Sequence, residues 1–151
     1  MALLPLPGLR SAPAHRRAVV NVASGAGKTG STHEAAVYRA SKAAVLSLTR
    51  SFAHAYAARG VRVNAVCPGL VDTPVNDVVL AGIAPLRGVE LAEYGRSRLE
   101  AVPLSRLADP REVAEVIAFQ LSDASLYMTG QTTGSAPASV TTARLTGGRP
   151  G

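Results

Sequence analysis

AVVNVASGAGKTGSTHEAAVYRASK, residues Ala18–Lys42, passes from a strand through a loop into a helix. Ala18–Ala23 is short, mostly apolar and rich in β-branched residues, which is how a buried strand reads. Ser24–His33 is a Gly/Ser/Thr loop, and a helix is expected from about Ala36 to Ala58. Val45, Leu48, Phe52 and Tyr56 recur at helical spacing and are expected to form its buried stripe. Gly60 stands where the left-handed residue after a helix belongs. Val61–Val66 (VRVNAV) then reads as a second strand, broken by Cys67-Pro68-Gly69.

Outward from this unit the pattern continues. Leu9–Arg17 is a polar link. Leu70–Leu104 has weak periodicity and several Gly and Pro residues, so it is expected as a loop region with short helices. Asp109-Pro110-Arg111-Glu112 starts another helix: Asp109 can cap, Pro110 suits the first turn, and Glu112 completes a capping box. Val113, Val116, Ile117 and Leu121 are its expected buried stripe. The order strand, helix, strand, helix is the grammar of a doubly wound α/β parallel sheet.

Composition bounds the rest. The 151 residues suit one domain, and 47% are hydrophobic against 17% charged. Aromatic residues are 4%, with no Trp, so the core must rest on Ala, Val, Leu and Ile. The net charge of +6 comes from scattered arginines, Arg39, Arg50, Arg59 and Arg62 among them. Without like-charge blocks or interleaved aromatics this reads as a solvated surface, with no nucleic-acid partner. One cysteine, Cys67, excludes an internal disulfide and fits a reducing compartment. No apolar run can span a bilayer, and Met1–Gly8 lacks the basic start of a signal peptide, so a cytoplasmic location is expected. His15, His33 and His54 share no ligand spacing, so no metal site is expected.

Tyr38 and Lys42 lie four residues apart, on one helix face one turn along. An ammonium beside a phenol favours the phenolate, so the pair is suited to acid/base work. The bland alternative is a surface Lys near a half-buried Tyr. Gly27-Lys28-Thr29 after a strand also suggests the end of a phosphate loop. That motif needs a Gly five residues earlier, where Val22 stands, so a plain polar loop is the better reading.

The ordered set NVAS, YRASK, VNAVCPG, PLSRLADPREVAEV and YMTGQ resembles the short-chain dehydrogenase/reductase family, from about Val19 to Gln131. The resemblance implies an NAD- or NADP-dependent oxidoreductase that interconverts an alcohol and a carbonyl. Ser24, Tyr38 and Lys42 would be catalytic. Tyr38 would move the proton, Ser24 would hold the substrate oxygen, and Lys42 would bond the nicotinamide ribose. Tyr38, Lys42, Pro68, Gly69 and Thr73 would form the cofactor-binding set. Asn64 is expected to be structural and Cys67 to act as a small apolar residue. The implied partners are a small-molecule alcohol or carbonyl and, in the full-length form, copies of the same chain; no membrane partner is implied.

Three departures stand out. The spacing from Ser24 to Tyr38 is one residue longer than the family's usual one. The final strand of the family is degraded or absent in TTGSAPASV, Thr132–Val140. The family's N-terminal dinucleotide fingerprint has no counterpart either. The expected architecture is thus the C-terminal part of a Rossmann-like sheet without its N-terminal strands. Residues 1–130 would form the partial domain and 131–151 a poorly ordered tail. The pyrophosphate-binding part would be absent and the Ala18–Ala23 edge unpaired. The alternative function is a non-catalytic remnant that packs against a related chain.

Overall fold

A computed structural model of the chain describes residues 17–29 and 35–134. Three parallel strands form one sheet in the order β1 (Arg17–Val22), β2 (Val61–Cys67), β3 (Thr132–Gly134). β1 runs beside β2 from Arg17 opposite Val61 to Val22 opposite Val66. β2 is flanked on both edges and buried along its whole length, whereas β1 is only part-buried. A parallel strand covered on both faces reads as a continuous apolar run, which is why the two valine-rich stretches fall here.

The helix α1 (Ala36–Tyr56) covers one face of the sheet. Its contacts form two apolar clusters. Leu46 packs with Ala23, Ala65 and Cys67, and Ala53 and Tyr56 pack with Val61 and Val63. The chain leaves α1 through a 3-10 turn, Ala57–Arg59, and Gly60 at φ 69°, as its position anticipates. The buried stripe differs in part from the expected one. Leu46, Thr49, Ala53 and Tyr56 face inward, while Leu48 is 51% exposed. Of the expected stripe, Tyr56 is buried and Val45 and Phe52 pack against the core, and only Leu48 is displaced, because Thr49 is buried through its hydroxyl, which accepts from Asn21 Nδ2 at 2.9 Å and donates to Val45 O at 2.8 Å.

The opposite face of β2 is polar, and here two expectations are corrected. Arg62, read as part of a solvated surface, is 7% exposed. Its guanidinium reaches the C-terminus of α4 (Pro110–Leu121), donating to the carbonyls of Gln120 at 2.8 Å and Ser122 at 3.1 Å and to Ser125 Oγ at 3.0 Å. A cation at a helix C-terminus meets both orphan carbonyls and the negative end of the dipole. Leu121, expected inside α4's stripe, is half exposed, and Gln120 is buried in its place. The Gln120 amide donates to Thr133 Oγ1 at 2.9 Å, which ties α4 to β3. Asn64 is structural, as expected: its side chain donates to Met128 O and accepts from Gln131 N.

That clamp also explains the last strand. The expected degraded strand persists as Thr132–Gly134, paired with Ala65–Cys67. Ordered chain thus runs past the expected boundary at 130. The remaining expected tail, residues 135–151, lies outside the described residues, as do the N-terminal link to residue 16 and His15 and His33. Between β2 and α4, the expected loop region holds two ten-residue helices, α2 (Pro74–Ile83) and α3 (Leu91–Glu100). Their base is pinned where Val71 bridges Ala108. Among the described residues no helix is long and apolar enough to cross a membrane.

Candidate active site

The C-terminal ends of β1 and β2 carry Ser24, Pro68 and Gly69, the first turns of α1 carry Tyr38 and Lys42, and the cap of α2 is Thr73. β1 runs out at Val22, and Ser24 follows as the cap of a 3-10 turn, Gly25–Gly27. Ser24 Oγ accepts from Ala26 N at 3.2 Å, which orients the side chain and leaves the hydroxyl hydrogen as its donor. Ala23 N donates to Val66 O and Gly25 N to Pro68 O, so the turn is laced to the end of β2. Pro68 and Gly69 thereby sit beside Ser24.

Tyr38 and Lys42 lie in the first two turns of α1. Lys42 Nζ stands 5.8 Å from the centre of the Tyr38 ring and donates to Val22 O at 3.3 Å. The ammonium thus spans from the helix to the end of the strand that carries Ser24. Tyr38 is 49% exposed, so its phenol is open to a small molecule. Thr73 takes the cap position of α2 but makes no capping bond with its side chain. It lies further along the same β2–α2 connection as Pro68 and Gly69, and its hydroxyl is not spent on the helix. Cys67 is buried among Ala23, Leu46 and Ala65, so it behaves as a small apolar residue. Among the described residues no three His, Cys, Asp or Glu side chains gather as metal ligands.

The phosphate-loop alternative fails on hydrogen bonding. Such a loop needs free backbone N–H groups. Here Gly25 N, Ala26 N, Gly27 N and Lys28 N donate to Pro68 O, Ser24 Oγ, Ser24 O and Gly25 O in turn. None of the four is left for a phosphate. Sequence reasoning also missed Arg39. Its guanidinium donates to Thr29 O at 2.6 Å and holds the loop to α1.

The same strand ends, helix and connection recur in known proteins. The family profile described as enoyl-(acyl carrier protein) reductase matches residues 8–134. The chain belongs to the short-chain dehydrogenase/reductase family. It is 46% identical over 114 residues to cis-4-hydroxycyclohexanecarboxylate dehydrogenase of Sinomonas cyclohexanicum, covering 75% of this chain and 41% of that one. The crystal structure of an actinorhodin polyketide ketoreductase with NADPH superposes with a TM-score of 0.72 at 36% identity, over 78% of this chain and 44% of the other. NAD+-bound xylitol dehydrogenase gives 0.75 at 31%, over 79% and 47%. The chain therefore spans less than half the length of each of these relatives, and the architecture described above is part of a Rossmann-like α/β fold.

Proposed function

We propose that this chain carries the acid/base half of a nicotinamide-dependent oxidoreductase that interconverts a small-molecule alcohol and a carbonyl. One observation carries the reading: Lys42 Nζ lies between the Tyr38 ring and Val22 O, two residues before Ser24. Ser24 donates its hydroxyl hydrogen to the substrate oxygen and steadies the charge that grows there. Tyr38 gives a proton to that oxygen in reduction and takes it in oxidation. Lys42 keeps a positive charge beside the phenol and reaches the ribose hydroxyls of NAD or NADP. The residues fit the nicotinamide end of such a cofactor. Gly69 has no side chain, the Thr73 hydroxyl is not spent on its helix, and Pro68 and Gly69 adjoin Ser24. When bound, the nicotinamide supplies or accepts the hydride. The named activities of the relatives, dehydrogenation of a hydroxycyclohexanecarboxylate and of xylitol, support an alcohol or carbonyl as the substrate class.

The test has two parts. Saturation-transfer NMR of the purified chain with nicotinamide mononucleotide should mark the nicotinamide and ribose protons. The signal should fall in Lys42→Met and Thr73→Val and persist in Tyr38→Phe. In hydride-transfer assays Tyr38→Phe should lower the rate by about 10²–10⁴, the range for losing a positioned proton donor. A Tyr38→Phe rate within a few-fold of the parent would remove Tyr38 from the mechanism.

A second reading has its own observation. Among the described residues β1 has no strand on its outer edge, and Val22 is 51% exposed. An open edge beside apolar side chains favours pairing with another segment, so a role in packing against a related chain is the competing function.

A further inference from the structure

The triplet Gly27-Lys28-Thr29 is not used by the chemistry above, yet each member is held at a different point. We propose that these three residues, with Arg39, form a brace that positions the Ser24 turn against the Tyr38–Lys42 segment of α1. The proposal rests on the reading that Ser24, Tyr38 and Lys42 are the reacting set.

A Gly-rich turn has no preferred place of its own, because glycine gives the backbone freedom and no side-chain anchor. Placing Ser24 relative to a tyrosine on another element therefore needs contacts outside the turn. The first is Gly27. A Cβ there would lie 2.8 Å from the Lys42 carbonyl carbon and 2.9 Å from Ala43 N, so only glycine lets the turn lie directly on the helix backbone at Lys42. The second is Lys28. Its Nζ donates to Thr132 O at 3.2 Å, which carries the turn across the end of β2 to β3 and fixes it sideways. The third is Thr29. Its carbonyl and hydroxyl accept from Arg39 Nη1 at 2.6 and 3.3 Å, and Arg39 adjoins Tyr38 in the chain. The helix is thus gripped at Arg39 and at Lys42, on either side of the turn that separates them. Reacting groups displaced by about 1 Å lose on the order of a hundredfold in rate, so a brace of this kind bears on catalysis without touching substrate. Gly27, Lys28, Thr29 and Arg39 are positioning residues.

The chain contains two lysines, Lys28 and Lys42, which makes the test direct. Acetic anhydride labelling of the folded full chain, read by mass spectrometry, reports how well Lys42 Nζ is held. Hydrogen exchange reports the turn amides at 25–28. In Lys28→Met both should rise about fivefold, as for the loss of one hydrogen bond from a local opening equilibrium, while β2 amides stay at parental rates. Lys28→Arg should restore both, because it keeps a donor. Gly27→Ala should raise both further. If that variant fails to fold, the Lys28 pair decides alone, since Lys28 is exposed. Parental labelling and exchange in Lys28→Met, or failure of Lys28→Arg to restore them, would overturn the brace. Neither measurement involves turnover. A chain inert towards carbonyls that still shows the Lys28 effects would keep the brace and lose the chemistry, and an active chain without them would do the reverse.

Discussion

Arg62 shows how one side chain can carry a connection. It lies on the central strand, its charge is buried, and its guanidinium serves three carbonyls, of Gln120, Leu121 and Ser122, and one hydroxyl, of Ser125. Removing it would take the guanidinium from the Leu121 carbonyl and leave those of Gln120 and Ser122 to bonds from Ser125 alone. Arg62→Ala is expected to cost about 3 kcal/mol, the scale of a broken buried polar network. Arg62→Lys should recover only part of that, because an ammonium cannot present the same planar fork. Urea unfolding of the two variants beside the parent measures both numbers. An Arg62→Ala midpoint equal to the parent's would mean that solvent takes over the carbonyls.

At the scale of elements, α1 and α4 each carry a sharp expectation. Leu46 and Leu48 are two residues apart on α1, one inside and one out. Leu46→Ala should cost about 2–4 kcal/mol through the cavity left against Ala23, Ala65 and Cys67. Leu48→Ser should change stability by less than about 0.5 kcal/mol. Equal effects in thermal unfolding would show that the helix face is wrongly assigned. The start of α4 is pH-sensitive. The Arg106 guanidinium, at 2.6 and 2.7 Å, and then the Asp109 N–H hold the Glu112 carboxyl down to about 2 from an ordinary value of 4.5. Because the folded value lies below the unfolded one, the ionised carboxylate favours the fold. Its contribution is complete above about 4.5 and is lost as the pH falls towards 2. Glu112→Gln should flatten that part of the stability–pH curve, and Asp109→Ala should cost about 1 kcal/mol through the lost cap. Acid titration followed by circular dichroism checks both.

For the molecule as a whole, the sheet is asymmetric. β2 is buried along its length and β1 is not, so β2 amides should be the slowest to exchange and β1 amides faster. The outer edge of β1 has no strand beside it among the described residues, and Val22 is exposed there. Light scattering of the purified chain should therefore show association that grows with concentration, and Val22→Lys should weaken it, since an edge charge opposes strand pairing. A monomer at every concentration in the parent would count against the packing role.

Much of this protein is decided locally. The two long strands, the extent of α1, the start of α4, Gly60 and the capping box at Asp109 follow from periodicity and turn chemistry within a few residues, so the sequence determined them by itself, whereas α2 and α3 were legible only as short helices in a loop region. The Tyr38–Lys42 pair was legible for the same reason, since helical spacing puts both on one face. Only the tertiary structure decided the rest. That Thr49 rather than Leu48 lies inside depends on Asn21 reaching it from β1. Whether Arg62 and Gln120 lie inside depends on partners at 120–133, and β3 persists as a three-residue strand because β2 and Gln120 hold it. Gly27-Lys28-Thr29 reads the same in a phosphate loop or a brace until the N–H groups of residues 25–28 find acceptors. Burial of a polar group is favourable only when distant partners complete its hydrogen bonds, and no short stretch of sequence contains those partners.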